Sequence, residues 1–598
     1  MDFGLGMRYD KQGSVIMAGS FRDTVYFIPS NGVKYVKTID KEDIFIKKID
    51  NLGNILWIKQ IKGVYGNRGQ SLELDNYGNI YITGMFSDTV DFDPGPGVNI
   101  AVGKGWSDIF ILKLDNNGIF KWVKLIQGSN QEFPLDLAID KQNNLFIVGG
   151  FYETVDFDPG VQEVNGISKG NVDYFILKLD NNGIFKWVKT YGSLGTDHAT
   201  SIATDSKDNV IVTGYYGGTI DFNPGSNSSE VKILTDGYGY DVFIQKFDNL
   251  GNFLWVKQIG GIDYEISNSI ATDNYDNIYS TGFFKNVVDF NSDTGQYLVK
   301  SVGSEDVYVL KLNGSGGFMW VRQLGGLYQD QGSHIAFSSK CVYVTGKFQD
   351  KVKYVYSFDS AHLQSNGSYD YFILKLSDDG NFNWLTSNGG KGDDEGVLLD
   401  VGEEGSFYYT GSFDSTFVFS NSTKSDTFKP KGDKDIMLIR YACDKFLSIN
   451  RTGNKLTSSV NAQSYQWLDC NNLYKAIPNA KDSIFNVTAA GNYALVVHSF
   501  GGCIDTSNCI SITMSQIEEV NDLNIQIIPN PNDGKFKIEI DAKTLKKICI
   551  YNLIGKKIVE INSTKDSSVF DLKLTNGTYF IEIESVEGIS RSRLKIEN

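Results

Sequence analysis

The 598-residue chain is short of several residues that catalytic, membrane and nucleic-acid sites rely on. It holds 4 His, 7 Met and 10 Pro, and His198, His334, His362 and His498 share no metal-ligand spacing. No G-x-S-x-G, H-E-x-x-H or P-loop pattern occurs. No apolar run approaches the roughly 20 residues of a membrane-spanning helix. The N-terminus, MDFGLGMRYDKQG, lacks a basic region followed by an apolar one, so no signal peptide is visible. Basic residues are outnumbered, 56 Lys and Arg against 72 Asp and Glu, for a net charge of −16. Such a surface repels phosphates, which argues against nucleic acid or anionic lipid as partners. Of six cysteines only Cys341 lies in the first 440 residues; Cys443, Cys470, Cys503 and Cys509 crowd together and Cys549 stands alone. The cluster fits an oxidising compartment, in tension with the missing signal.

What is abundant is Gly (62), Phe (38) and Tyr (32), the stock of short strands joined by tight turns. The stretch DIFILKLDNNGIFKWVK, opening at Asp108, returns almost unchanged at Asp173, so the chain reads first as a repeat array. The opening aspartate recurs at Asp43, Asp108, Asp173, Asp241, Asp306, Asp370 and Asp435. A second signature, such as IYITGMF, places a glycine at Gly19, Gly84, Gly149, Gly214, Gly282, Gly346 and Gly411. A tryptophan strand occurs six times, at Trp57, Trp122, Trp187, Trp255, Trp320 and Trp384. Each unit offers four strands: A (SLELD), B (IYITGMF), C (DIFILKLD) and D (FKWVKLI). DNYGN and DNNGI supply the Asn, Asp and Gly of tight hairpins, and no helical periodicity is sustained. Seven phased four-stranded antiparallel units predict a β-propeller.

The pattern GNIYITGxF, DIFILKLDNNG, WVKxIGG resembles the bacterial SBBP propeller repeat over nearly three quarters of the chain. With strands ordered A to D from axis to rim, the A–B and C–D turns share one face and the longer B–C connections emerge on the other. Binding residues concentrate on loops displayed by a rigid scaffold, so the B–C face is the expected binding face. Its loops carry DFDPG, at Asp91 to Gly95 and Asp156 to Gly160. Asp91, Asp93, Asp156 and Asp158 are calcium candidates because paired carboxylates offer hard oxygen ligands. The competing reading is a strand end in which Phe packs, Pro and Gly turn, and Asp caps. The tryptophans, mid-strand between apolar neighbours, are expected to pack blade against blade rather than to form a sugar platform. No catalytic residue is nominated, although a glycosidase carboxylate pair is compatible with the many acids.

The array opens inside a unit and closes on DIMLIRYA without a Trp strand. The last blade is therefore expected to be short or to borrow residues near Phe446 to Asn450. A start codon placed too late would account for both the missing strand and the missing signal peptide.

After Tyr441 the repeat phase is lost. SYQWLDCNN and the segment ending in GNYALVVHSFGGC resemble small immunoglobulin-like modules of secreted Bacteroidetes proteins. Four cysteines allow three connectivities, of which Cys470–Cys503 with Cys443–Cys509 is the favoured one. In the last segment, Pro529-Asn530-Pro531, Gly555 with two lysines after it, Gly577 and Tyr579 resemble the type A sorting domain of the type IX secretion system. That resemblance implies transport by the secretion machinery, removal of the domain by a sortase-like peptidase near Ser515 to Asn524, and an extracellular or outer-membrane surface location.

The expected fold is thus all-β. A seven-bladed propeller (1–442) precedes an Ig-like module (443–515), a linker (516–523) and a small C-terminal sandwich (524–598). The expected function is binding or adhesion to a polysaccharide or other surface ligand, without a cofactor other than the calcium considered above. The alternative is a glycan-active hydrolase or lyase with its site at the propeller axis.

Overall fold

The computed structural model describes residues 3–597 apart from 11, 28–33, 39–40, 225–229, 232–238, 292–294, 339, 356–361, 403–405, 421–424, 431–433, 442–446, 463, 473, 499–503, 508, 513–524, 541–544, 554, 563–566 and 586–588. It is an all-β chain, with one short 3-10 turn at Cys470–Asn472 among the described residues. The described residues form two compact units. One is Met1–Asn450 with Thr457–Ser483 and Ala494–Cys509; the other is Arg451–Leu456, Ile484–Tyr493 and Ile510–Asn598.

In the first unit, seven blades among the described residues repeat one plan, the fourth and fifth joined in one continuous sheet. In the second sheet, strand A (Arg68–Leu74) pairs antiparallel with B (Ile80–Phe86), B with C (Asp108–Leu114), and C with D (Phe120–Gly128). Each A strand lies beside the next, and that of the seventh sheet (Asp394–Val401) lies beside that of the first (Phe3–Tyr9). The blades therefore form a ring around an axis lined by A strands. The seventh sheet comprises A, B (Phe407–Phe413) and C (Asp435–Tyr441), with no D strand among the described residues. The expected loan from the following segment is not seen: Ile449–Thr452 belongs to another sheet, and Phe446 lies outside the described residues.

The repeated motif serves this packing throughout. In the DNYGN turn, Gly78 N–H donates to Asp75 O, and Asp75 Oδ1 accepts Tyr77 N–H and Asn79 N–H, both at 2.9 Å. Gly78 has φ +77°, and the next three A–B turns place Asn143, Asp208 and Asp276 in that left-handed region. Ile109 to Leu112 are fully buried on both faces because each blade is covered by two neighbours, hence the unbroken apolar run. The strand-C lysine links two turns. Lys246 Nζ lies 2.8 Å from Asp205 in its own A–B turn and donates at 2.8 Å to Gly314 O in the next blade. The tryptophans pack blade on blade: a Cβ built at Gly118 would stand 3.3 Å from Trp57, and one at Gly183 3.2 Å from Trp122.

The aspartate that opens strand C meets an acid that opens strand A of the following blade. The pairs are Asp108 with Glu132, Asp173 with Asp197, Asp241 with Glu265, Asp306 with Asp330, and Asp370 with Asp394. Most of these acids also cap a connecting turn, as where Asp108 accepts Lys104 N–H at 2.7 Å and Glu132 accepts Gly128 N–H at 3.0 Å. This accounts for the glycines ending strand D. A Cβ at Gly192 would stand 1.9 Å from the Asp173 carboxyl carbon, and one at Gly128 would stand 2.4 Å from Glu132 Oε1.

The B–C connections are partly hairpins that latch onto the preceding blade. Thr89–Asp91 pairs with Ile100–Val102 and also with the end of the first D strand, Lys62 opposite Asp91. Thr154–Asp156 repeats the arrangement against the second.

In the segment after the array, Trp467 is fully buried and its indole N–H donates to Asp482 O at 2.9 Å. Among the described residues Cys470 and Cys509 form a disulfide, with the Cα atoms 6.4 Å apart. This corrects both favoured pairings, since it joins one cysteine from each; Cys470 opens the short turn that follows the strand Ser464–Asp469, and its Cα stands at bonding distance from that of Cys509. Cys443 and Cys503 lie outside the described residues.

The C-terminal segment forms two sheets, of three and four strands, closed over Phe536, Ile538, Ile548, Ile550, Ile581, Ile583 and Leu594. Leu545–Tyr551 and Lys557–Asn562 form the hairpin expected around Gly555, whose φ is +77°.

Candidate functional site

One repeat position faces the axis near the end of strand A, the last residue but one in six of the seven blades. It holds Arg8, Glu73, Ala138, Ala203, Ala271, Ala336 and Asp400. Four alanines leave room, and a cavity of about 530 Å³ results, with Asp136 and His334 also in its wall. The turn residues Asn76, Lys141, Ser206 and Asn274 line it too, so it opens at the A–B turn end. That is the face opposite the one expected to bind. Loop length carries no trace of it, because the space is left by small side chains rather than enclosed by long loops.

The charged wall is internally compensated. Arg8 Nε donates to Glu73 Oε1 at 2.9 Å, and Tyr9 N–H donates to Asp400 Oδ2 at 2.6 Å. Asp136 accepts from Ser71 Oγ at 3.0 Å, Ser201 Oγ at 2.8 Å and Ile202 N–H at 3.0 Å, stitching three neighbouring blades. Arg8 and Glu73 expose 25% and 20% of their side chains, toward the cavity. Burial opposes the Arg8 charge, but Glu73, Asp400 and Asp136 outweigh it and raise its pKa. Burial raises Glu73 and Asp400, with Arg8 pulling each back. Burial, with Arg8 adding, lowers His334 to about 3, which keeps the imidazole neutral at physiological pH.

At the other end of the axis the first residues of the A strands form the mouth on the B–C side, and there the ring is asymmetric. On blades three to five it is aromatic. Phe133, His198, Tyr215, Tyr240 and Tyr264 form a continuous row with centroid separations of 5.6, 5.0, 5.0 and 5.7 Å. Tyr264 is 40% exposed and the other four are half-buried. Burial lowers His198 to about 4, so its imidazole is neutral at neutral pH. Elsewhere the ring is polar: Gln331 Nε2 donates to Glu305 at 2.6 Å, Tyr369 OH to Gln329 at 2.7 Å, and Lys347 pairs with Glu395 at 2.9 Å. Glu42 holds Arg68 at 3.1 Å and Arg22 at 3.5 Å. A row of rings inclined at 34 to 64° to one another, beside amide, carboxylate and phenol groups, offers ring faces and hydrogen-bonding partners within one rim.

In each calcium candidate one carboxylate oxygen, Oδ1, caps its own loop. Asp91 Oδ1 accepts Asp93 N–H and Asn99 N–H at 3.1 and 2.8 Å; Asp93 Oδ1 accepts Gly95 N–H at 2.7 Å. Asp156 and Asp158 repeat the pattern. Phe92 and Phe157 are fully buried. Among the described residues no three His, Cys, Asp or Glu come together as a metal group. Of the sorting motif, Asn530 accepts Lys595 N–H at 2.8 Å and donates to Arg593 O at 2.8 Å, so the Pro529–Pro531 lead is fastened to the last strand. Tyr579 is buried and donates to Thr575 O at 2.9 Å, while Gly577 begins its strand. The segment expected to be cleaved, Ser515 to Asn524, lies outside the described residues.

Arg8, His334 and the aromatic row were not singled out from sequence, although repeat phase alone places Arg8 among alanines and Phe133 and His198 at one position.

Comparison with known proteins locates two families. Residues 526–597 match the secretion system C-terminal sorting domain, and residues 254–282 match the SBBP β-propeller repeat. An uncharacterized WD repeat-containing protein, L264, of Acanthamoeba polyphaga mimivirus is 27% identical over 258 residues, covering 39% of this chain and 18% of that protein. The regulatory protein FlaEY of Caulobacter vibrioides is 23% identical over 345 residues, covering 53% of this chain and 34% of that protein. The chain thus spans about a third or less of these relatives. A solved protein of unknown function from Bacteroides caccae is 10% identical, with a TM-score of 0.26 over 57% of this chain and 89% of that one.

Proposed function

From a chain that joins SBBP-type propeller repeats to a type IX sorting domain, and is thereby directed to the outer-membrane surface or the exterior, we propose a binding or adhesion protein that grips a polysaccharide at the B–C mouth of its propeller. The observation that carries this reading is the row Phe133, His198, Tyr215, Tyr240 and Tyr264 beside the Gln331–Glu305 and Tyr369–Gln329 pairs. Ring faces stack on sugar C–H surfaces, and the adjoining amide and carboxylate groups can exchange hydrogen bonds with hydroxyls. The intended division of labour is a propeller over 1–442 that binds, an Ig-like spacer over 443–515, a linker over 516–523 and a sorting domain over 524–598 that is removed on arrival. A glycan array probed with the chain and with Tyr240→Ala tests it. Loss of about tenfold or more in affinity for any retained glycan is expected, and identical binding patterns would refute the site.

A second reading, a hydrolase or lyase acting on glycans, has one observation in its favour: Arg8, Glu73, Asp136, His334 and Asp400 converge on the axial cavity. Release of reducing ends or unsaturated sugars from a polysaccharide panel, abolished in Glu73→Gln, would establish it; an inactive chain that still binds glycan would exclude it.

A further inference from the structure

Strand-C lysines cross to the C–D turn of the following blade, and repetition allows their contacts to be compared one with another. Lys246 lies 2.8 Å from the Asp205 carboxylate and donates to a main-chain oxygen, Gly314 O. Lys48 is also held by a carboxylate, Asp10 at 2.9 Å, beside Asn116 Oδ1 at 2.5 Å. Lys113 and Lys311 reach main-chain oxygens, Asn181 O at 3.0 Å and Asp378 O at 2.8 Å. These contacts satisfy a buried ammonium group and ask for nothing more.

Lys178 is placed differently. Asp140 Oδ2 stands off at 3.9 Å from its Nζ, and the groups in direct contact are Asn249 O, at 2.9 Å, and the side-chain oxygen Asn249 Oδ1. The other end of the same carboxamide, Asn249 Nδ2, donates to Asp140 Oδ2 at 3.4 Å. An amine, a carboxamide and a carboxylate therefore meet at one point, with the amine at the oxygen end of the amide and the acid at its nitrogen. The surroundings are dry. The Lys178 and Asp140 side chains are 7% and 0% exposed, and Nζ lies 4.8 Å from the Phe146 ring. The Trp187 indole N–H donates to Asn249 O at 3.3 Å and so holds the turn in place. Burial lowers the Lys178 pKa, with Asp140 pulling it back, which brings the neutral, nucleophilic amine closer to hand than in a solvated lysine.

We propose that Lys178 and Asn249 are the partners of an intramolecular isopeptide bond, formed by the folded chain itself, that ties the third blade to the fourth with Asp140 as proton carrier. Asp140 takes a proton from the Lys178 ammonium, and the freed Nζ attacks Asn249 Cγ. The Nζ–Cγ bond forms and the Cγ–Nδ2 bond breaks. The two protons lost by Nζ pass by way of Asp140 to Nδ2, which departs as ammonium and leaves Asp140 ionised. Nothing is oxidised or reduced, and no second substrate enters. The chemistry is confined by sequence, because Gly314 and Asp378 occupy the position of Asn249 in the next two blades and offer no carboxamide.

Mass spectrometry of the purified full chain tests this. Each bond removes ammonia, so the Lys178–Asn249 link lowers the mass by about 17 Da. After denaturation, trypsin should fail to cut at Lys178 and should yield residues 170–186 branched to residues 247–257. Lys178→Arg, which keeps the charge without the nucleophilic amine, should abolish the branched peptide, and Asp140→Asn should abolish it while Lys178 and Asn249 remain. Separate peptides 170–178 and 247–257 from the wild type overturn the proposal, as does loss of ammonia confined to an unbranched 247–257, which is a succinimide. A branch that persists in Asp140→Asn overturns the role given to Asp140.

Discussion

Replacing Glu132 by glutamine should flatten the pH dependence of propeller stability. Glu132 is fully buried beside Asp108 at the junction of the second and third blades. Burial first, and then the Asp108 charge, raises its pKa from 4.5 to about 8. The folded protein therefore holds a proton that the unfolded chain releases above pH 4.5. By linkage, the stability tied to this proton is fully present below about pH 4.5, is lost as pH rises toward 8, and is constant above that. A shift of that size corresponds to about 5 kcal/mol if expressed in full, and to about 2 kcal/mol if water enters as the junction relaxes. Glutamine keeps the shape and cannot ionise; the first junction already places Asn67 at this position. Urea unfolding followed by tryptophan emission reports on the propeller, since seven of the eight tryptophans precede residue 442. The wild type should lose stability between pH 5 and 9 by about 2–5 kcal/mol more than Glu132→Gln, while the two stay close at pH 5. Parallel pH profiles would refute the argument, because they would mean that the pair ionises in the fold without cost.

Asp75→Ala removes the acceptor for Tyr77 N–H, Asn79 N–H, Asn79 Nδ2 and Tyr81 OH and should cost about 2–4 kcal/mol, measured by the same unfolding assay. EDTA should leave the unfolding midpoint unchanged if Asp91 and Asp156 serve as turn caps; a marked fall would restore calcium to those loops. Cys470→Ser should destabilise the segment after the propeller by about 4 kcal/mol, as expected for a loop with a sequence separation of 39, read as earlier proteolysis near residue 490.

Strand order, turn chemistry and the packing role of the tryptophans were legible because they are local or periodic. A left-handed position in DNYGN needs Gly, Asn or Asp wherever it occurs, and seven phased copies make each reading check the others. The glycine pair after WVK could be located but not explained. Its reason is the carboxyl of a residue up to about twenty positions away in sequence, or of the next blade's first strand. The disulfide pairing failed for a related cause, since which cysteine faces Cys470 depends on how the strands fold back, and spacing carries no such information.

By itself, then, the order of residues determined an all-β propeller of repeated units and the sorting domain that follows it. The tertiary structure decided where the space and the exposed rings are. Arg8, Glu73 and Asp400 become one cluster only when the first and last blades meet, and Phe133 through Tyr264 become one row only when three blades are set side by side. The first depends on ring closure, in which residues about 390 positions apart become neighbours, as Tyr9 and Asp400 do, and the second on the packing of consecutive blades. The long B–C loops show the converse: they look like display elements in sequence, and closure turns part of each into a latch between blades.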